Sequence, residues 1–172
     1  MKFQGVTPAR RVRFHVSPGP AKTTSMPNLL PLDARVSVSG QLKADDMKKI
    51  AALGYAVVVN NRPDGEAWMG QPPTAELVQA AEQAGLAFVD LPFSGPGATP
   101  EQVRTLAGLL RDGDRRIVAY CKSGMRSTLL WGAASMANGK PLEEVLAAAR
   151  GAGQDLDPLG EMLTALAAAA RT

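Results

Sequence analysis

The single cysteine of this 172-residue chain lies in the run Ala-Tyr-Cys-Lys-Ser-Gly-Met-Arg-Ser, residues 119–127. Its neighbours are of types that could make it a nucleophile facing an anion. Cys121 follows an apolar, strand-like stretch, and a helical pattern is predicted from Ser127 onward. A loop in that position can turn its N–H groups inward as an anion-binding nest at the positive end of the helix. Gly124 supplies the backbone freedom such a turn requires. Arg126 can fork two donors onto an anion held over the sulfur. Ser127 offers a hydroxyl to the thiolate or to the helix end, and Lys122, Ser123, Gly124 and Met125 form the rest of the candidate substrate loop. The thiolate is the reactive form of cysteine, so the thiol needs an activator. The only histidine is His15, far to the N-terminal side. A Cys–His dyad, a Ser–His–Asp triad and a histidine-ligated metal in the core are therefore excluded, and activation falls to the backbone and Arg126. A lone cysteine is usually a buried small hydrophobe, but that role calls for neither Gly124 nor Arg126.

A second polar loop, Asn60–Gln71, contains Arg62, Asp64 and Glu66. Arg62, Asp64 and Glu66 are candidate substrate-binding residues beside Cys121. Alternatively, Arg62 and Asp64 pair with each other and shape the loop, as polar residues next to Pro and Gly often do. Trp68 and Met69 are read as packing residues or as a lid, and Trp131 as core.

The elements that must position these residues alternate strand-like and helix-like. Strands are expected at Ala34–Ser39, Tyr55–Asn60, Leu86–Leu91 and Arg116–Tyr120. Tyr-Ala-Val-Val-Val-Asn is the continuous β-branched run of a strand buried on both faces. Helices are expected at Ala44–Leu53, Ala75–Ala84, up to Arg111 after an N-cap at Thr99, Ser127–Ala137, Leu142–Arg150 and Leu159–Ala170. Thr99, Pro100 and Gln102 carry the signature of a capped helix start. The alternation predicts an α/β domain with a mainly parallel sheet of four to five strands flanked by helices. Both polar loops would leave the carboxyl ends of strands, where ligands bind in such sheets.

The formal net charge of +3 comes from the N-terminal stretch. Residues 1–25 contain Lys2, Arg10, Arg11, Arg13 and Lys22 and no acid, leaving 14 basic and 16 acidic residues in the remainder. The body lacks the clustered basic and aromatic residues of a nucleic-acid binder. No apolar run is long enough to span a membrane, and no secretory signal is evident. One cysteine fits a reducing cytoplasm. Residues 1–32, with Pro8, Pro18, Pro20, Pro27 and Pro31, read as a flexible, basic leader, and residues 33–172 as the catalytic domain. Met26 is a candidate start of the native protein.

Two patterns frame the loop. Cysteine phosphatases place five residues between Cys and Arg. This chain has four (Lys122 to Met125), which resembles the active loop of single-domain rhodaneses. Beyond the loop, Val-Ser-Gly-Gln-Leu at 38–42, Val-Asn-Asn-Arg-Pro-Asp-Gly-Glu at 59–66, Gly-Gln-Pro at 70–72 and Ala-Gly-Leu-Ala-Phe-Val-Asp-Leu-Pro at 84–92 join it in a second likeness. Together they resemble the phosphatase-like domain of beta-lactamase-hydrolase-like proteins, over roughly residues 33–170. The resemblance implies a dual-specificity-phosphatase-like fold. It also points to sulfur chemistry, because family members occur fused to persulfide dioxygenase-like or flavin-dependent sulfide-oxidising domains, making sulfide-oxidation enzymes candidate partners.

Phosphatases of that fold use an Asp general acid on a loop before the cysteine. The corresponding loop here, Ser94–Ala98, has no carboxylate; Asp64 could substitute, whereas Asp90, near the end of a strand before Leu91 and Pro92, reads as structural rather than as the acid. Spacing and missing acid together give the leading expectation of a sulfurtransferase. In that reading Cys121 takes sulfane sulfur from thiosulfate or a small persulfide, with Arg126 and Ser127 assisting. The alternatives are a phosphatase working through a phosphocysteine and a non-catalytic anion-binding domain. The expected partner is a small anion, either a sulfane-sulfur donor or a phosphate ester, and no motif calls for a cofactor or metal.

Overall fold

The computed structural model describes residues 25–172. Five strands and six helices follow in the order β1 (Leu30–Pro31), β2 (Val36–Ser39), α1 (Ala44–Ala52), β3 (Val57–Asn60), α2 (Thr74–Gln83), β4 (Ala87–Asp90), α3 (Pro100–Arg111), β5 (Ile117–Tyr120), α4 (Met125–Ala137), α5 (Leu142–Gly151) and α6 (Gly160–Arg171). A 3-10 turn at Asp157–Leu159 leads into α6. The sheet order is β1-β2-β5-β3-β4, parallel except for β1, which pairs antiparallel with β2. This is the expected α/β architecture, with β5 inserted between β2 and β3.

Strand periodicity divides the core into two layers. Val36, Val38, Val57, Val59, Ile117 and Ala119 face one side, where α3, α4, α5 and α6 pack. Val58, Val118 and Tyr120 face the other, against α1 and α2. Both faces are covered, which explains the near-continuous apolar strands. Helix α4 is buried all round from Ser127 to Met136, enclosed by its neighbouring helices and the sheet. Trp131 is inaccessible within it, its indole N–H donating to Asp33 at 3.3 Å. Thr99 and Gln102 bond reciprocally at the start of α3, as their spacing predicts.

One boundary moves. Leu30 and Pro31, inside the stretch read as a leader, pair with Val38 and Ser37, and Leu32 is buried. The prolines that break helices are compatible with an edge strand, where a missing N–H is tolerated. The rest of the leader reading, residues 1–24 with their basic arm, lies outside the described residues. Among the described residues, no helix is long and apolar enough to cross a membrane.

The register delivers the site. Ser39, Tyr120, Asn60 and Asp90 form the last paired row at the carboxyl end of β2, β5, β3 and β4. The residues that follow them, Gly40, Cys121, Asn61 and Leu91, therefore emerge side by side. Backbone bonds extend this alignment: Cys121 N–H donates to Ser39 at 3.3 Å, Asn61 to Tyr120 at 2.9 Å and Leu91 to Asn60 at 2.8 Å.

Candidate active site

Cys121 sits at the end of β5, 1% exposed, and α4 begins four residues later, two residues before the predicted start. Gly124 is the residue before the helix, with φ of 95°, a conformation only glycine adopts without strain. Its N–H donates to Cys121 Sγ at 3.1 Å. Burial pushes the Cys121 thiol up, but the backbone amides of Ser127, Ser123, Gly124 and Arg126 outweigh it and hold the pKa below the ordinary value of 9.0. These amides come from the loop, at Ser123 and Gly124, and from the open first turn of α4, whose amides lack carbonyl partners within the helix. Close packing fixes the loop from below: a Cβ on Gly40 would lie 3.1 Å from the Lys122 carbonyl.

Gln154, nearly buried between α5 and the 3-10 turn, donates to the Ser123 carbonyl at 3.1 Å. Gln154 escaped the sequence reading because no local pattern links it to residue 123. Ser127 occupies a position inside the helix, so it does not cap α4. Its amide serves the sulfur, while its hydroxyl is buried and has no partner among the described residues.

Arg126 projects from the first turn of α4. Its Nη1 and Nη2 donate to Glu66 Oε1 and Oε2 at 2.6 and 2.8 Å, and Nη1 also donates to the Phe93 carbonyl at 2.9 Å. A guanidinium has five donors. Among the described residues these three bonds leave Nε–H and the second Nη2–H without an oxygen or nitrogen acceptor, and the Cys121 sulfur is a further hydrogen-bond partner of the side chain. Those two donors lie on one edge of the planar group, the edge suited to two oxygens of a tetrahedral anion. Glu66 is the main cause of the raised Arg126 pKa, burial opposes it, and Cys121 adds to the rise, so the guanidinium lies close to the sulfur.

Glu66 is the centre of the charge network. Its second oxygen also accepts from Arg62 Nε at 2.9 Å. The Glu66 carboxyl is lowered from 4.5 to about 2, chiefly by Arg126, against burial and with help from Arg62. Arg62, 5% exposed, also donates to Gln41 at 2.8 Å.

The pairing of Arg62 with Asp64 is therefore corrected. Arg62 bonds Glu66, whereas Asp64 Oδ1 accepts from the Thr74 N–H at 2.9 Å and hydroxyl at 2.8 Å, at the start of α2. The structure gives Asp64 a helix-end role outside the cavity lining. Asp90 accepts from Asn60 Nδ2 at 2.8 Å, and Asn60 in turn accepts from the Arg62 N–H at 2.8 Å. Asp90 thereby holds the loop that carries Arg62. Trp68 and Met69 do not pack: Trp68 is 94% exposed and Met69 is exposed as well.

A cavity of about 630 Å³ opens at this edge. Arg62, Lys122 and Arg126 give it cationic walls with Glu66 between them, while Met125, Leu129 and Leu159 give it an apolar side next to Gly95 and Pro96. Of the loop residues, Lys122 and Ser123 are exposed and Gly124 is buried.

A buried thiol in an amide cradle, on a parallel sheet in this order, defines an α/β fold of the cysteine-phosphatase class. Residues 29–139 match the family model described as beta-lactamase hydrolase-like protein, phosphatase-like domain, and the chain belongs to that family. Beta-lactamase hydrolase-like proteins of Agrobacterium fabrum and Xylella fastidiosa are 31% and 30% identical over 58% and 74% of this chain. The chain spans only 23% and 30% of the length of those relatives. A provisionally assigned phosphatase of Neisseria meningitidis has a similar structure, with a TM-score of 0.69 and 35% identity over 80% of this chain and 96% of that one. P. aeruginosa TpbA in complex with pTyr shares the fold alone, at 14% identity and a TM-score of 0.57 over 87% of this chain and 98% of that one.

Proposed function

We propose that this domain is a cysteine-dependent phosphatase that hydrolyses phosphate monoesters through a phosphocysteine at Cys121. The observation that carries the reading is the edge of Arg126 left free of carboxylate and carbonyl partners, beside a thiol whose pKa the loop and helix amides lower. An amide cradle topped by a two-donor edge suits a tetrahedral anion with three peripheral oxygens, such as a phosphate monoester. Family membership and a cysteine-phosphatase fold support the same choice.

In this mechanism Cys121 thiolate attacks phosphorus while the amides of Ser123, Gly124, Arg126 and Ser127 and the free edge of Arg126 bind the oxygens. Glu66 holds Arg126 end-on, keeping the other edge aimed at the substrate. The S–P bond forms and the P–O bond to the leaving group breaks. Water then attacks the phosphocysteine, the S–P electron pair returns to sulfur, and dihydrogen phosphate departs. The buried Ser127 hydroxyl is a donor for the sulfur as it leaves.

The preference for sulfur drawn from the spacing gives way here. With α4 starting at Met125, a four-residue gap still puts Arg126 in the first helical turn. The gap and the lack of an uncommitted carboxylate at the cavity are the observations that favour sulfur transfer as a second reading. The two are separated by incubating the protein with p-nitrophenyl phosphate and with thiosulfate. Turnover of the ester, lost in Cys121→Ser, with a phosphate adduct on Cys121 by mass spectrometry, supports the phosphatase. A persulfide adduct from thiosulfate without ester turnover overturns it.

A further inference from the structure

Every carboxylate near the cavity is already committed, and this bears on what the site can release. Glu66 is locked between Arg62 and Arg126 by three ionic hydrogen bonds. Asp64 holds the start of α2 through Thr74, and Asp90 holds Asn60. Among the described residues Glu66 is the one carboxylate lining the cavity. Held well below its usual range, it carries no proton at neutral pH. The loop facing the cavity from the β4 side offers Gly95 and Pro96. Residues 1–24, outside the description, contain neither Asp nor Glu.

Without a carboxylic acid to protonate it, the departing oxygen keeps the electron pair of the broken P–O bond as a free negative charge. Such a bond breaks quickly only when that anion is stabilised by its own structure, as in a phenolate or a carboxylate. The exposed Lys122 at the mouth adds charge to meet it, and the apolar side formed by Met125, Leu129 and Leu159 suits a ring or short chain. From the committed carboxylates and this wall we infer that the site sorts its substrates by leaving group. It accepts aryl and acyl phosphates, whose leaving groups depart as stabilised anions, and rejects alkyl phosphates. The inference rests on the phosphatase reading and narrows its substrate class.

Charge and atoms balance in both arms. Attack by Cys121 thiolate on an aryl phosphate gives the phosphocysteine and a phenolate. On an acyl phosphate it gives the phosphocysteine and a carboxylate. Water then regenerates the thiolate and releases dihydrogen phosphate.

The test is kcat/KM for the full chain on p-nitrophenyl, phenyl and n-hexyl phosphate and on benzoyl phosphate, each with Cys121→Ser as control. This ratio reports the first chemical step, whichever step limits turnover. General acid help contributes about 10²–10⁴-fold, so phenyl phosphate is expected at least ~10²-fold below p-nitrophenyl phosphate. Hexyl phosphate should give no turnover above the Cys121→Ser control. Benzoyl phosphate should match or exceed p-nitrophenyl phosphate, whereas its failure beside active aryl esters would restrict the class to aryl groups and overturn the acyl half. Values within a few-fold across the three esters would overturn the inference while leaving the phosphatase reading intact. They would mean that a group such as Lys122 or His15 delivers the proton. Absence of Cys121-dependent turnover on p-nitrophenyl phosphate would remove the phosphatase reading and this inference together.

Discussion

Replacing Glu66 with Gln tests the charge network at the residue on which it converges. The carboxylate accepts from Arg126 at 2.6 and 2.8 Å and from Arg62 at 2.9 Å. Its pKa falls from 4.5 to about 2, with Arg126 the largest cause. A shift of that size corresponds to about 3 kcal/mol of preference for the charged form in the folded state. The side chain is 26% exposed, so solvent screening brings the expected effect to ~1–2 kcal/mol.

The sign follows from linkage. A depressed carboxylate pKa stabilises the fold above about pH 4.5, and that contribution disappears as pH falls toward 2. Glu66→Gln should therefore be less stable than wild type at pH 7 by about that amount, and the gap should close between pH 4.5 and 2. Urea unfolding of both proteins across this range measures it. Kinetically, Arg126 loses its end-on partner, so kcat/KM on an aryl phosphate should fall by about 10–10²-fold as the guanidinium edge drifts. A stability gap that stays constant down to pH 2, or a variant as stable and active as wild type at pH 7, would refute the reasoning.

Alkylation of Cys121 followed against pH should give a midpoint below 9.0, because the loop amides favour the thiolate; a midpoint at or above that value would contradict the amide cradle. Arg126→Lys keeps the charge but loses the planar edge, so kcat/KM should drop by about 10²–10³-fold, the size seen when one oriented donor is removed from an anion site. Gly124→Ala forces a Cβ onto a residue at φ 95°, with the new atom 3.0 Å from Gln154 Nε2. Thermal unfolding should report a loss of about 1–2 kcal/mol, with slower Cys121 alkylation at neutral pH as the amides shift.

Local signals were legible wherever they act within a few residues. The β-branched run before Asn60, the Thr99 and Gln102 cap and the Gly124 turn each describe one short stretch of backbone, and each occurs as read, within a residue or two. The strand Leu30–Pro31 was missed because two residues have no period, and its pairing with Ser37 and Val38 exists only once β2 is in place. Asp64 looked like a site residue from its neighbours in the chain, yet Thr74, ten residues on, claims it.

The chain by itself determined that Cys121 has no core histidine and that its candidate activators are backbone amides and an arginine five residues further on. It also determined the alternation that places such a loop at the carboxyl end of a strand. Only the tertiary structure decided which acid answers Arg126. Glu66 lies sixty residues away in sequence, and Glu66, Asp64 and Asp90 are chemically alike on paper. Side-chain charge is encoded one residue at a time. Which charges meet depends on β5 lying beside β3, and that is settled by burying two apolar faces at once.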